Sequence, residues 1–316
     1  MTHSNRSSRS LAPLALTLLM AGCSSGDKVD ARFDHKVARP AYADNGPSVL
    51  FDEAHHNVHK TRKSYRPFVE LLESDGYRFS RQTQPVVAAD LAGHAVLVIA
   101  GALGDNDVND APAFEDAECD VIRDWVAGGG ALLLIVDHFP LGDANERLAS
   151  RFGVQLGKGV AEDSVNFDQD FDRTHIVFSR ENGGLGSHPI VDGRDTSERI
   201  DRVLTLTGTA LYADPPAVGF LVLTGTAYAR PPQPAIERKN GDVIVRVGYG
   251  DPVAVPGWSQ GLAMEFGKGR VVVLGEAAML TARLHRFDGR PIGMNTPGYD
   301  NRQLALNIMH WLTRVL

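Results

Sequence analysis

Four apolar runs in this chain break off where chemistry becomes possible. Phe51 is followed by Asp52-Glu53-Ala54-His55-His56-Asn57-Val58-His59, Val136 by Asp137-His138, Leu274-Gly275 by Glu276, and Ala100 by Gly101. Asp137 beside His138 offers an acid/base pair, because a neighbouring carboxylate raises a histidine's affinity for its proton. Glu276, directly behind an apolar run, would be partly desolvated, which lifts a carboxyl toward the range of a general acid. With Glu53, these residues form the catalytic set. His55 and His59, at i and i+4, could share a helix face and with His56 hold a divalent metal. No His-Glu-x-x-His spacing accompanies them. Asp52, His55, His56 and Asn57 are candidates to bind a ligand. Two further candidates are His188, whose backbone Pro189 holds extended, and Gly101, which could turn backbone N–H groups toward a ligand. His285, Asn295 and Asp300, in the last long loop, could close over such a site. Plainer roles compete with all of these: Asp52 and Asp137 capping turns, His138 solvated, His188 marking a turn, and Glu276 capping a helix that begins near Ala277.

The elements behind these residues have a consistent pattern. Short apolar runs at 48–52, 95–100, 131–136 and 271–274 read as buried strands, with a weaker one at 77–83. Between them lie helical spacings: one from about Ser64 through Phe68, Val69 and Leu72, and one over 114–127 that ends at Gly128-Gly129-Gly130. Asp143 and Glu146 suit the start of a third, and Leu304, Ile308, Trp311, Leu312 and Val315 share one face of a last. The alternation predicts an α/β fold, a flavodoxin-like, doubly wound, mostly parallel sheet whose strand ends gather polar residues on one rim. Residues 155–265 lose helical periodicity and gain Gly and Pro. Runs at 175–178, 203–206, 220–223 and 243–247 predict a β-rich insertion of antiparallel strands and long loops over that rim.

The first 22 residues are of another kind. Arg6 and Arg9 precede an apolar run, Leu11 to Met20, too short to span a bilayer, so this is an export signal. Met20-Ala21-Gly22-Cys23 resembles a bacterial lipobox, whose cysteine is acylated after cleavage; the alternative is a simple signal peptide cut near Gly22. Residues 23–46 then read as a tether and 47–316 as the folded domain. The expected location is the cell envelope, lipid-anchored, with Ser24 favouring an outer-membrane position facing the periplasm. The chain has 32 basic and 39 acidic residues, and the leader removes two of the basic ones and no acid, which excludes a nucleic-acid partner. With Cys23 committed to lipid, Cys119 has no partner for a disulfide inside the chain.

Several blocks together resemble the class I glutamine amidotransferase-like superfamily. They are Phe51 to Asn57, Gly128 to His138, Ser187-His188-Pro189-Ile190, Gly269 to Glu276 and Asp300 to Leu312. The similarity lies toward its uncharacterised branches, those found in bacterial lipoproteins, in auxiliary components of gliding-motility-type ABC transporters and in a domain of an intraflagellar-transport subunit. It implies an amidotransferase-like α/β domain over residues 47–316. True members place a nucleophilic cysteine at the turn after the strand matching 131–136. Here that turn carries Asp137-His138, and Cys119 lies mid-helix one element earlier. Thiol chemistry is therefore disfavoured, as is a serine hydrolase, since Ser187 lacks a Gly-x-Ser-x-Gly elbow. Two functions remain: binding of a saccharide, cell-wall fragment or envelope protein at the rim, or hydrolysis of such a substrate, with or without a metal.

Overall fold

The computed structural model describes residues 27–43, 45–104, 112–239 and 242–316, with the backbone alone for 234–247. The export signal, Cys23 and the residues up to 26 lie outside the described residues. Among the described residues nine strands form one sheet. They are β1 (Ser48–Asp52), β2 (Arg78–Gln82), β3 (Val96–Ala100), β4 (Ala131–Ile135), β5 (Gln155–Leu156), β6 (Leu211–Tyr212), β7 (Val218–Val222), β8 (Ser259–Phe266) and β9 (Gly269–Leu274). Across the sheet the order is β2-β1-β3-β4-β9-β8-β6-β5, with β7 also paired to β8.

The pairs from β2 to β9 are parallel, and those from β9 onward are antiparallel. The expected mostly parallel sheet is thus parallel in one half only. The cause is local. Gly267 and Lys268 alone join β8 to β9, and a two-residue connection leaves no room for a crossover. Gly267 adopts φ +59°, and a side chain there would meet the backbone of Ala127.

Helices cover both faces of the parallel half: α1 (Arg66–Ser74), α2 (Asp116–Ala127), α3 (Leu141–Ser150) and α4 (Asn301–Leu312). The strands sort their side chains with period two. Val49, Phe51, Val98, Leu133 and Ile135 pack with Phe68, Leu72, Leu304 and Ile308 of α1 and α4. Leu50, Leu97, Ile99, Leu132 and Leu134 pack with Cys119, Ile122, Ala144 and Leu148 of α2 and α3. Strands buried on both faces explain the unbroken apolar runs of the sequence. The β-rich section contributes β5 to β8. It also forms a small sheet of Val160–Asp163, Ala227–Arg230 and Val253–Ala254, a pair of Val177–Ser179 with Arg202–Leu204, and a hairpin of Pro232–Lys239 with Asp242–Tyr249. Among the described residues, no helix is long and apolar enough to cross a membrane.

Of the stretch expected to be a tether, the described residues from 27 onward lie on the domain. Lys28–Val29 pairs with Ala282–Leu284, and Phe33, Val37 and Tyr42 pack against the core. The spacing of those three apolar residues in a polar stretch obscured this. Farther along, Asp75 at the end of α1 fastens the segment: its carboxylate accepts from Ala41 N–H at 2.8 Å and from the buried His310 Nε2 at 2.6 Å. Asp75→Ala leaves the buried His310 donor without an acceptor, at roughly 1–3 kcal/mol, and frees the half-buried Ala41 N–H as well. The urea-unfolding midpoint of this variant is therefore expected to fall well below that of the parent, whereas truncating the exposed Glu73 nearby should change it little.

Candidate functional site

Because β1, β3, β4 and β9 run parallel and in register, their carboxyl ends share one edge. A cavity of about 200 Å³ opens there. Asp137 and His138 reach it from the end of β4, Glu276 from the end of β9, and His59 from the loop after β1. Three of the four catalytic candidates and one of the metal candidates are therefore brought together. Such a volume lies below the ~300–1,000 Å³ of ordinary small-molecule sites, so it accommodates one ring or one terminal group rather than a chain.

Asp137 and His138 form a closed pair. The Asp137 carboxylate accepts from His138 N–H at 2.8 Å and bonds its ring Nδ1 at 2.6 Å. Burial pulls the imidazole pKa down, but the charge and hydrogen bond of Asp137 and the backbone of Thr207 outweigh it, and the net shift is upward. Glu276 is buried completely, and burial followed by the charge of Asp137 pushes its carboxyl well above the usual range. Its oxygens accept from the N–H groups of Ala278 and Met279, at the start of a short 3₁₀ turn, Ala278–Leu280. The capping role and the acid role thus fall on one residue. Tyr249, at the end of the hairpin, is held protonated, its phenol pushed up to about 12 by burial and by Asp137.

His59 lines the same cavity in the opposite protonation state. Burial, then the Arg283 cation, pushes its pKa down to about 3, while its Nδ1 bonds Ser64 Oγ at 2.9 Å. Gly101 makes this packing possible. It adopts φ +59°, and a Cβ there would stand 3.2 Å from the His59 ring. Asp27, Arg283, His175, Thr207 and His285 complete the polar lining, and Val58, Leu141, Leu206 and Ile292 supply apolar wall. Of these only His285 was a sequence candidate. One cue was available, the lone arginine inside the apolar run Met279 to Leu284; His175 and Asp27 carry no comparable signal.

The remaining candidates are placed elsewhere. Asp52, His55 and Asn57 form a sealed cluster behind the rim. His55 Nδ1 bonds Asp52 at 2.9 Å, its Nε2 bonds Glu118 of α2 at 3.2 Å, and Asn57 donates to Asp52 at 2.8 Å. The His55 ring packs on Phe114 at 4.2 Å. Glu53 turns aside to Thr61 and Arg81. His56 is exposed, at φ 50°. The expected metal set of His55, His56 and His59 is therefore not assembled: both ring nitrogens of His55 are engaged and His56 points to solvent. Among the described residues no three histidine, cysteine or acidic side chains are placed to hold a metal together. His188 is remote from the cavity, accepting from Ile190 N–H at 3.2 Å and packing on Trp311, its pKa lowered to about 4 by burial and then Arg270. Asn295 bonds Asp30 and Asp300 bonds the backbone of Arg202, so neither closes over the rim. Cys119 is buried against the sheet, its thiol pushed up to about 11 chiefly by burial, as expected of an inert packing residue.

No protein-family model matches this chain, and no curated protein does. Solved structures do. The mmIFT52 N-terminal domain superposes with a TM-score of 0.58 at 14% identity, over 84% of this chain and 97% of that one, so the two share a fold. A GMP synthase-type protein from Thermoplasma acidophilum gives 0.43 at 11% identity, over 86% and 96%. A ThuA-like protein from Bacteroides uniformis gives 0.39 at 11%, over 87% and 93%.

The His55 cluster sets a pH dependence of stability. Burial opposes its protonation, but bonds and charges from Asp52 and Glu118 raise its pKa from 6.5 to about 9. A raised value means that folding favours the proton-bound form. The stabilisation is full below pH 6.5 and is lost as pH rises through about 9. The urea midpoint should decline across that window, and the decline should be shallower in Glu118→Gln.

Proposed function

We propose that this chain is a lipid-anchored cell-envelope protein whose domain is a non-thiol, flavodoxin-like relative of the class I glutamine amidotransferases, binding a saccharide or cell-wall fragment at the rim. One observation carries the reading: the Asp137–His138 pair occupies the turn after the central strand and faces a small cavity with buried Glu276 across from it. A carboxylate with a charged imidazole and a protonated carboxyl supplies both acceptors and donors to a hydroxyl- or amide-bearing ring, and burial strengthens each bond. The small recess suits the terminal unit of such a ligand better than the flat face of a protein partner. The multiple acyl chains expected at Cys23 would hold the protein on the envelope membrane.

The upward shift of Glu276 favours a second reading, hydrolysis without a protein nucleophile. In it Glu276 would donate a proton to the leaving oxygen or nitrogen. The Asp137 carboxylate, or His138 in its neutral form held by Asp137, would take one from an attacking water.

Titration of the mature protein with muropeptide and oligosaccharide fragments tests the first reading. Loss of a charge-assisted hydrogen bond costs roughly 1.5–3 kcal/mol, so Asp137→Asn and His138→Ala should each weaken binding about tenfold or more. Undiminished affinity in both variants would remove the rim as the site. If fragments are also cleaved, Glu276→Gln should abolish turnover while retaining binding, and the parent rate should fall as pH rises through the elevated Glu276 value.

A further inference from the structure

The N-terminal segment enters the described fold beside the cavity, not at the far end of the domain. Asp27 lines the cavity, accepts from Arg286 N–H at 3.0 Å and lies 3.6 Å from the buried Arg283 guanidinium. The next residues, Lys28–Val29, pair with Ala282–Leu284. Cys23 is four residues before Asp27, and four residues of chain span at most ~14 Å. An acyl chain on Cys23 therefore cannot reach a bilayer unless this end of the molecule is close to it.

The same end carries the features of an interfacial contact. Ala282–Leu284 and Pro291–Gly293 are the strands of a hairpin whose tip, residues 285–290, projects Phe287 at 76% exposure, the most exposed large hydrophobic side chain among the described residues. The Arg286 guanidinium stands over that ring at 4.2 Å. Lys28 and Arg32 add further positive charge, Arg32 lying 3.9 Å from Asp30, while the nearby Asp288 is matched by His285 and Arg290. A cationic tip on a chain of net charge −7 is a local arrangement, not a reflection of the whole. An exposed aromatic with an arginine over its ring and further exposed cations nearby matches a phospholipid surface: the ring enters the headgroup layer and the cations meet phosphate.

We infer that the rim end of the domain is its membrane face, seated on anionic phospholipid by the hairpin tip around Phe287 next to the Cys23 anchor. The inference rests on the lipoprotein reading for the anchor, but the hairpin is independent of it. Because Arg283 and His285 belong both to this hairpin and to the cavity lining, the mouth of the site lies at the bilayer surface. Its ligand is then one presented there, such as a headgroup-linked saccharide, rather than one diffusing through the compartment.

The test uses the full lipidated chain in vesicles of phosphatidylethanolamine and phosphatidylglycerol. A fluorophore is placed on Phe287→Cys and, separately, on Lys268→Cys at the opposite end of the sheet; Cys119 is buried and stays unlabelled. Brominated acyl chains should quench the label at 287 several-fold more strongly than that at 268. Equal quenching, or a label at 287 that is shielded by a second protein copy instead, overturns the proposal. A second arm uses the Cys23→Ser chain without acyl groups. It should still co-sediment with the anionic vesicles, weakly and in a salt-sensitive way, and lose this with Phe287→Ser. If Cys23 proves unmodified while Phe287-dependent sedimentation persists, the membrane face stands and the lipoprotein reading falls. Sedimentation that is indifferent to Phe287 and to lipid charge removes the membrane face.

Discussion

The polar architecture of this protein depends on one ladder, the pairing of β4 between β3 and β9. Leu132 sits level with Leu97 on one side and Val271 on the other. The ladder continues just past the strands, where Val136 N–H donates to Leu274 and Gly101 N–H to Ile135, both at 2.9 Å. These bonds fix where each backbone leaves the sheet. Asp137 and Glu276 meet because two exits are held level, and Val58 N–H, donating to Gly101 at 2.9 Å, brings His59 beside them; a one-residue slip would turn each strand's side chains to the other face. The hydrophobic layers behind the ladder hold the register, and the register places the charges.

Within the site, burial and charge act in opposition, and their balance differs from residue to residue. His138 and His59 line the same small cavity, yet one has a carboxylate against its ring and the other an arginine nearby. The first gains affinity for its proton and the second loses it. Glu276 feels Asp137 across the cavity, and two carboxyls at close quarters resist double ionisation. Opposite protonation states side by side give the cavity donors and acceptors at the same pH.

The parallel strands could be read from the sequence because burial on both faces writes an unbroken apolar run. The helices between them could be read from periodicity, to within a residue or two at their ends. Ser64, where the first helix was expected to begin, bonds His59, and α1 begins at Arg66. Of the antiparallel half only β7 was legible, as the run at 220–223; β5 and β6 are two residues each, and β8, though eight residues long, was not among the expected runs. Asp137, His138 and Glu276 were found because they directly follow strands, where direction is fixed. The acid-histidine loop after β1 was misjudged for the complementary reason. A loop side chain has no fixed direction, and Asp52, His55 and Glu118 satisfied one another where burial demanded it. Glu118, 63 residues farther along and on a helix, gave no sign of belonging there.

That sealed cluster has a mechanical side. His55 ties the strand exit to Asp52 and, across the layer, to α2, so the loop carrying His59 is braced at its root. A braced loop keeps the cavity in its final shape before any ligand arrives. A ligand entering such a cavity would cost little ordering entropy, since no flap has first to take shape around it.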